Sequence, residues 1–126
     1  MYKRQEDHSK SYPGKFIQGD ALKPPVALED FDAKWASPPC QAYSATANFR
    51  WVAAKRTTPK LIEPVRRMLA NHPYTIIENV PLAPVRPDMV LSGPMVGLMM
   101  LNRRRFFELS WPPSMYPPVA LSLIHI

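Results

Sequence analysis

Residues 74–78 read YTIIE, and Asn79, Val80 and a proline-rich stretch through Pro81, Pro84 and Pro87 follow directly. Thr75, Ile76 and Ile77 are β-branched and Tyr74 is aromatic, the residue types that fit a pleated, half-buried surface, so the stretch predicts a short strand. Proline has no N–H for a sheet ladder, which ends the strand and leaves the Glu78 carboxylate at its carboxyl end. Upstream, Leu61, Ile62, Val65, Met68 and Leu69 fall near helical spacing behind Pro59, predicting a helix over 59–69 with Pro64 in an early turn. Strands alternating with a helix point to an α/β layer structure.

Working outward, residues 15–20, KFIQGD, are a short apolar run closed by a Gly-Asp turn, which predicts a buried strand ending at Asp20. Residues 30–38 repeat the pattern: Phe31, Ala33, Trp35 and Ser37 alternate with Asp32, Lys34 and Ala36, and Pro38 with Pro39 stops the strand just before Cys40. Two more strands are predicted at 89–92 and 105–109, joined by a methionine-rich connection over 93–102. In open α/β sheets ligands gather outside the carboxyl ends of the strands. Asp20, Cys40 and Glu78 are each expected at such an end and form one candidate constellation.

Composition bounds what this constellation can do. A chain of 126 residues holds one modest domain. Apolar residues make up 46% of it, enough for a core, and sixteen prolines favour fixed turns and long loops over long helices. The formal charge of +6 suits an anionic partner such as nucleic acid, although solvated basic faces are common. One cysteine excludes an intrachain disulfide and a multi-cysteine zinc site. His8, His72 and His125 show no ligand spacing, so no metal is expected. No apolar run reaches the roughly 18 residues that span a bilayer, and the amino terminus is polar, so a soluble, intracellular protein is expected.

The two ends read as inverted copies of one nucleotide sequence. Residues 121–126, LSLIHI, resemble a translation of the transposon mosaic-end adaptor of sequencing libraries, CTG TCT CTT ATA CAC ATC. Its reverse complement, GAT GTG TAT AAG AGA CAG, translates as DVYKRQ, and the chain opens MYKRQ, as it would if GTG were the start codon. The competing view is an apolar terminal strand and a basic tail. On the adaptor view residues 1–5 and 121–126 are artefacts, and losing Lys3 and Arg4 lowers the charge from +6 to +4.

Three motifs carry a family resemblance: ASPPCQAYS over 36–44, ENV over 78–80 and NRRRFFE over 102–108. In order and spacing they resemble the catalytic motifs of the DNA cytosine-5 methyltransferases, phage and bacterial members above all. Pro39-Cys40 matches the family's Pro-Cys loop, Glu78-Asn79-Val80 its Glu-Asn-Val, and residues 101–105 its Gln-x-Arg-x-Arg except that Leu101 replaces the glutamine. Gly19-Asp20-Ala21 resembles the cofactor-site aspartate motif, and the likeness runs over residues 12–111.

The resemblance implies a partial Rossmann-like, S-adenosylmethionine-dependent methyltransferase fold, an incomplete sheet with flanking helices. Residues 6–111 would be a partial catalytic domain and 112–120 the start of the C-terminal, target-recognition region, with the Gly-rich cofactor motif lying upstream. It implies a Cys40 thiolate that adds to carbon 6 of cytosine, making carbon 5 nucleophilic toward the methyl group of S-adenosylmethionine. A free thiol of pKa about 8.5 is only slightly ionised at neutral pH, so the addition needs stabilisation of the charge developing on the ring. Glu78, holding a proton against ring nitrogen 3 while its other oxygen accepts from the exocyclic amine, would supply it and select cytosine. Arg105 would donate to the carbonyl at carbon 2, Arg103 would contact the base or orient the loop, and Arg104, Lys55 and Arg56 would meet phosphates.

The same resemblance puts Asp20 and Pro39 on the cofactor side, and Gln41, Ser44, Asn79 and Val80 on the substrate side. The partner would be double-stranded DNA with its target cytosine flipped out of the stack, and the loop over 41–58 would close over it. Tyr43, Phe49 and Trp51 suit stacking there or core packing equally. The compartment implied is the cytoplasm of a bacterial or phage-infected cell. Two other classes remain open: a non-catalytic basic nucleic-acid-binding fragment, and a thiol enzyme of unrelated type.

Overall fold

The structure, a computed structural model, describes residues 15–43, 59–98, 100 and 102–114, and the backbone of 123–125. It is a mixed α/β arrangement built on β1 (Ala33–Ala36), α1 (Ile62–Leu69), β2 (Tyr74–Asn79), β3 (Met89–Leu91), β4 (Arg105–Leu109) and β5 (Leu123–His125). Sheet order is β3-β4-β2-β1-β5. β1 is parallel to β2 and β5, whereas β4 is antiparallel to β2 and β3. The parallel β1–β2 pair needs a long crossover, and α1 lies on it.

α1 forms because its apolar residues share one stripe: Ile62, Val65 and Leu69 are all buried. It starts at Ile62 rather than at Pro59. Pro64 falls in the first turn, where backbone N–H groups have no intrahelical acceptor, so its missing N–H costs nothing there. Glu63 in the first turn and Arg66 and Arg67 in the last complement the helix dipole. The stripe packs with Leu28, Ala36, Ile77, Ala83 and Val85 into the core. Ala83 and Val85 belong to the proline-rich stretch after β2, so that loop is packed rather than merely connecting.

The strand expected over 31–37 forms as β1 and is largely buried on both faces. Ala33, Lys34 and Ala36 are all buried, because β1 is an inner strand of the sheet. Lys34 meets the cost of burial by donating from Nζ to the Phe31 carbonyl.

The strand expected at 15–20 is absent from the described sheet. Asp20 instead makes an isolated bridge to Lys23, whose N–H donates to the Asp20 carbonyl at 2.9 Å. The place beside β1 is taken by β5, and Pro24 and Pro25, which cannot donate to a ladder, follow the turn at once. The turn itself is as expected, and a Cβ on Gly19 would lie 3.1 Å from the Pro25 ring.

β5 is made by the stretch whose sequence resembles an adaptor translation. Its parallel backbone pairing with β1 is the terminal-strand conformation, and an open strand edge accepts any β-prone segment that reaches it. β3 stops at Leu91, one residue earlier than expected, and β4 spans the expected residues. The β3–β4 connection turns at Gly97, with φ of 81°, and exposes Met95, Val96, Leu98 and Met100. Among the described residues no helix is long and apolar enough to cross a membrane.

An ionic network braces the helix side of the sheet. Arg66 on α1 holds Glu108 on β4 through two hydrogen bonds of 2.8 Å and also reaches the Pro84 carbonyl at 2.7 Å. The Arg86 N–H donates to Glu108 at 3.0 Å, and the Arg86 guanidinium grips Asp88. Hydrogen bonding from Arg66 holds the Glu108 carboxyl below its ordinary range against the opposing effect of burial, and Arg86 does the same for Asp88. The network belongs to the fold, tying helix, proline-rich loop and β4 together.

Candidate functional site

Successive residues of a strand point to opposite faces, and paired residues share one. Glu78 is paired with Phe107 across β2 and β4, so Glu78, Phe107 and Arg105 lie on one face. Parallel pairing of Trp35 with Ile76 puts Trp35 on that face too, where it meets Phe107 edge-on at 5.9 Å. Asn79, Ile77 and Glu108 face the other way, toward α1.

At the carboxyl ends of β1 and β2 a cleft of about 290 Å³ opens. Ser37, Pro38, Pro39, Cys40 and Gln41 line it from the loop leaving β1, Glu78, Asn79 and Val80 from the end of β2, and Arg105 from the start of β4. Pro38 and Pro39 fix the backbone as it leaves the strand, and Cys40 begins a single 3-10 turn closed by the Tyr43 N–H on the Cys40 carbonyl at 2.9 Å. Cys40 is a free, half-buried thiol.

The Arg105 guanidinium lies 2.7 Å from a Glu78 carboxylate oxygen, Nε to Oε1, with the two side chains 33% and 18% exposed. Both side chains are partly exposed, so the pair borders the open side of the cleft. Arg105 also donates from Nη1 to the Arg104 carbonyl at 3.1 Å.

Of the residues singled out from sequence, Cys40, Pro39, Gln41, Glu78, Asn79, Val80 and Arg105 therefore converge on one cleft. Arg103 and Arg104 stand exposed just before β4 and do not line it. Asp20 does not line it either. Its carbonyl and side chain serve its own turn, with Oδ1 accepting from the Leu22 N–H at 3.0 Å, so the expected three-member constellation reduces to Cys40 and Glu78. Tyr43 packs against the core cluster, which decides between stacking and packing in favour of packing. Ser44, Phe49, Trp51, Lys55, Arg56 and the remainder of the loop over 44–58 lie outside the described residues.

Two contributors were not legible in the sequence. Ser37 lines the cleft and accepts a hydrogen bond from the Trp35 indole at 3.1 Å. Asn79, expected to meet substrate, is buried and bonded within the protein: Nδ2 donates to the Pro38 carbonyl at 2.7 Å, and Oδ1 accepts from the Val80 N–H at 3.0 Å. No group of three or more His, Cys, Asp or Glu able to hold a metal ion occurs among the described residues.

A thiol, a carboxylate and a guanidinium thus face one cleft from three separate strand ends, a set that can add to an electron-poor ring while holding its edge by hydrogen bonds. Fold and site together define a mixed α/β protein with a cysteine-bearing cleft at the carboxyl edge of its parallel strands. Comparison of the chain with family models, curated proteins and solved structures returns no match.

Proposed function

We propose that the chain is part of a DNA cytosine-5 methyltransferase and that the cleft receives a cytosine flipped out of duplex DNA. The observation that carries this reading is the convergence of Cys40, Glu78 and Arg105, distant in sequence, on a single cleft. The parallel β1–β2 pair with α1 on its crossover, and a site at the strands' carboxyl ends, also agree with a Rossmann-like methyltransferase sheet of which this is a portion.

In this reaction the Cys40 thiolate forms a bond to carbon 6, and the electron pair of the 5,6 double bond becomes available at carbon 5. The Glu78 carboxyl holds a proton at ring nitrogen 3 and accepts from the exocyclic amine, while Arg105 donates to the carbonyl at carbon 2. Their ion pair puts both groups at the edge of the cleft, and entry of the base replaces it: Arg105 turns to the ring carbonyl, and Glu78 takes up from solvent the proton it shares with ring nitrogen 3. After carbon 5 is alkylated, a water molecule takes its proton and the electron pair so released expels the Cys40 thiolate, which restores the ring.

The methyl group would come from S-adenosylmethionine, as the motif resemblance implies. The described residues do not by themselves cradle that molecule: Pro39 lines the cleft, but Asp20 lies outside it and is engaged in its own turn.

The test is covalent capture. The full coding sequence containing this chain is expressed and mixed with S-adenosylmethionine and DNA bearing 5-fluorocytosine, whose fluorine blocks the final elimination. A denaturation-resistant protein–DNA adduct that disappears in Cys40→Ser is expected. Absence of an adduct on varied DNA, with cofactor binding confirmed, overturns the reading. The exposed Arg103 and Arg104 favour a second reading, non-catalytic nucleic-acid binding, which predicts salt-dependent binding with no adduct in either protein.

A further inference from the structure

Asn79 is 2% exposed and among the largest fully buried side chains, yet it adjoins Glu78 at the mouth of the cleft. Strand alternation turns it away from the face that carries Glu78 and Arg105. Its amide spans the two strand ends, donating to the Pro38 carbonyl of the Cys40 loop and accepting from Val80. Pro38 and Pro39 have no N–H, so between Ser37 and Cys40 only carbonyl oxygens are left for anchoring by the backbone, and Asn79 takes that of Pro38.

We propose that Asn79 is a positioning residue rather than a substrate-binding one: it fastens the Pro38–Cys40 loop to the end of β2 and so sets the Cys40 thiol against Glu78. The proposal rests on the methyl-transfer reading only for the role given to Cys40. The hydrogen bond acts through geometry, limiting the range of positions the thiol samples relative to the strand that carries the carboxylate.

Alkylation by iodoacetamide is read by mass spectrometry on the peptide that carries Cys40, the one cysteine of these 126 residues. Rate constants across a pH series separate the plateau, which reports access to the sulfur, from the midpoint, which reports its ionisation. Asn79→Asp keeps the acceptor for Val80 and turns a carboxylate oxygen toward Pro38 in place of the donor. Asn79→Ser, uncharged and too short to span the gap, carries the same comparison if the Asp variant does not fold. Val65→Ala, in the core away from the cleft, controls for general loosening.

A plateau raised about threefold or more in an Asn79 variant, with Val65→Ala near the parent rate, is expected, because a released loop opens at lower cost than the whole fold. An unchanged plateau in the Asn79 variants, or an equal rise in Val65→Ala, overturns the proposal. Alkylation uses neither DNA nor S-adenosylmethionine. Failure of the anchor is therefore distinguishable from failure of methyl transfer, which the fluorocytosine adduct reads separately.

Discussion

Arg105 and Glu78 form an ion pair at 2.7 Å although they begin one strand and end another, and the pair exists only because β4 runs antiparallel beside β2. The pairing of Glu78 with Phe107 brings Arg105, two residues earlier on the same face, across from Val80, just past the end of β2. From there its long side chain reaches back to the carboxylate. In the proposed reaction Glu78→Gln in the full-length enzyme keeps the shape of the side chain but cannot hold or exchange the proton at ring nitrogen 3. Single-turnover methylation is expected to slow by about a hundredfold or more, within the range of general acid–base contributions. DNA affinity should change far less.

Arg105→Lys tests the other partner. A lysine keeps the charge but loses the planar fork that can engage Glu78 and a ring carbonyl together. Methylation is expected to fall by at least about tenfold, corresponding to roughly 1.4 kcal/mol of lost hydrogen bonding. Circular dichroism of the variant should match the parent, because Arg105 is one-third exposed and lies outside the core.

Acid should unfold the protein partly through the helix-side network. Glu108 and Asp88 have depressed pKa values in the folded state, so they contribute stability that is fully present above their ordinary values of 4.5 and 3.8. That stability is lost as pH falls through the lowered folded values. Glu108→Gln should lower stability at neutral pH by about 1–3 kcal/mol and flatten its decline toward acid, as read by urea denaturation across a pH series. An acid slope equal to that of the parent would remove Glu108 from this role.

Leu69→Ala removes the last buried residue of the α1 stripe. The expected loss is about 2–5 kcal/mol, measured by thermal or urea unfolding. A change below about 1 kcal/mol would mean that the α1 stripe does not form this core.

The elements that were legible from sequence are those whose signal is local. YTIIE became β2, RFFEL became β4, and the spacing of Ile62, Val65 and Leu69 became the buried stripe of α1. KFIQGD carried a similar local signal and is no strand of the sheet, because a strand also needs a pairing partner, and pairing is decided by the whole sheet. Lys34 carries a charge, and it is the inner position of β1 that buries it beside the Phe31 carbonyl.

The candidate site divides along the same line. The sequence by itself determined which chemical groups this protein owns near its strand ends: a lone cysteine behind two prolines, an acid closing a β-branched run, and arginines leading into an aromatic strand. Residue type and local propensity suffice for that much. Only the tertiary structure decided that Cys40, Glu78 and Arg105 share one cleft, that Asp20 and Arg103 stand outside it, and that the buried Asn79 amide donates to the Pro38 carbonyl. Those outcomes follow from strand order and register, which are set by contacts between residues far apart in the chain and carry no signature in the residues nearby.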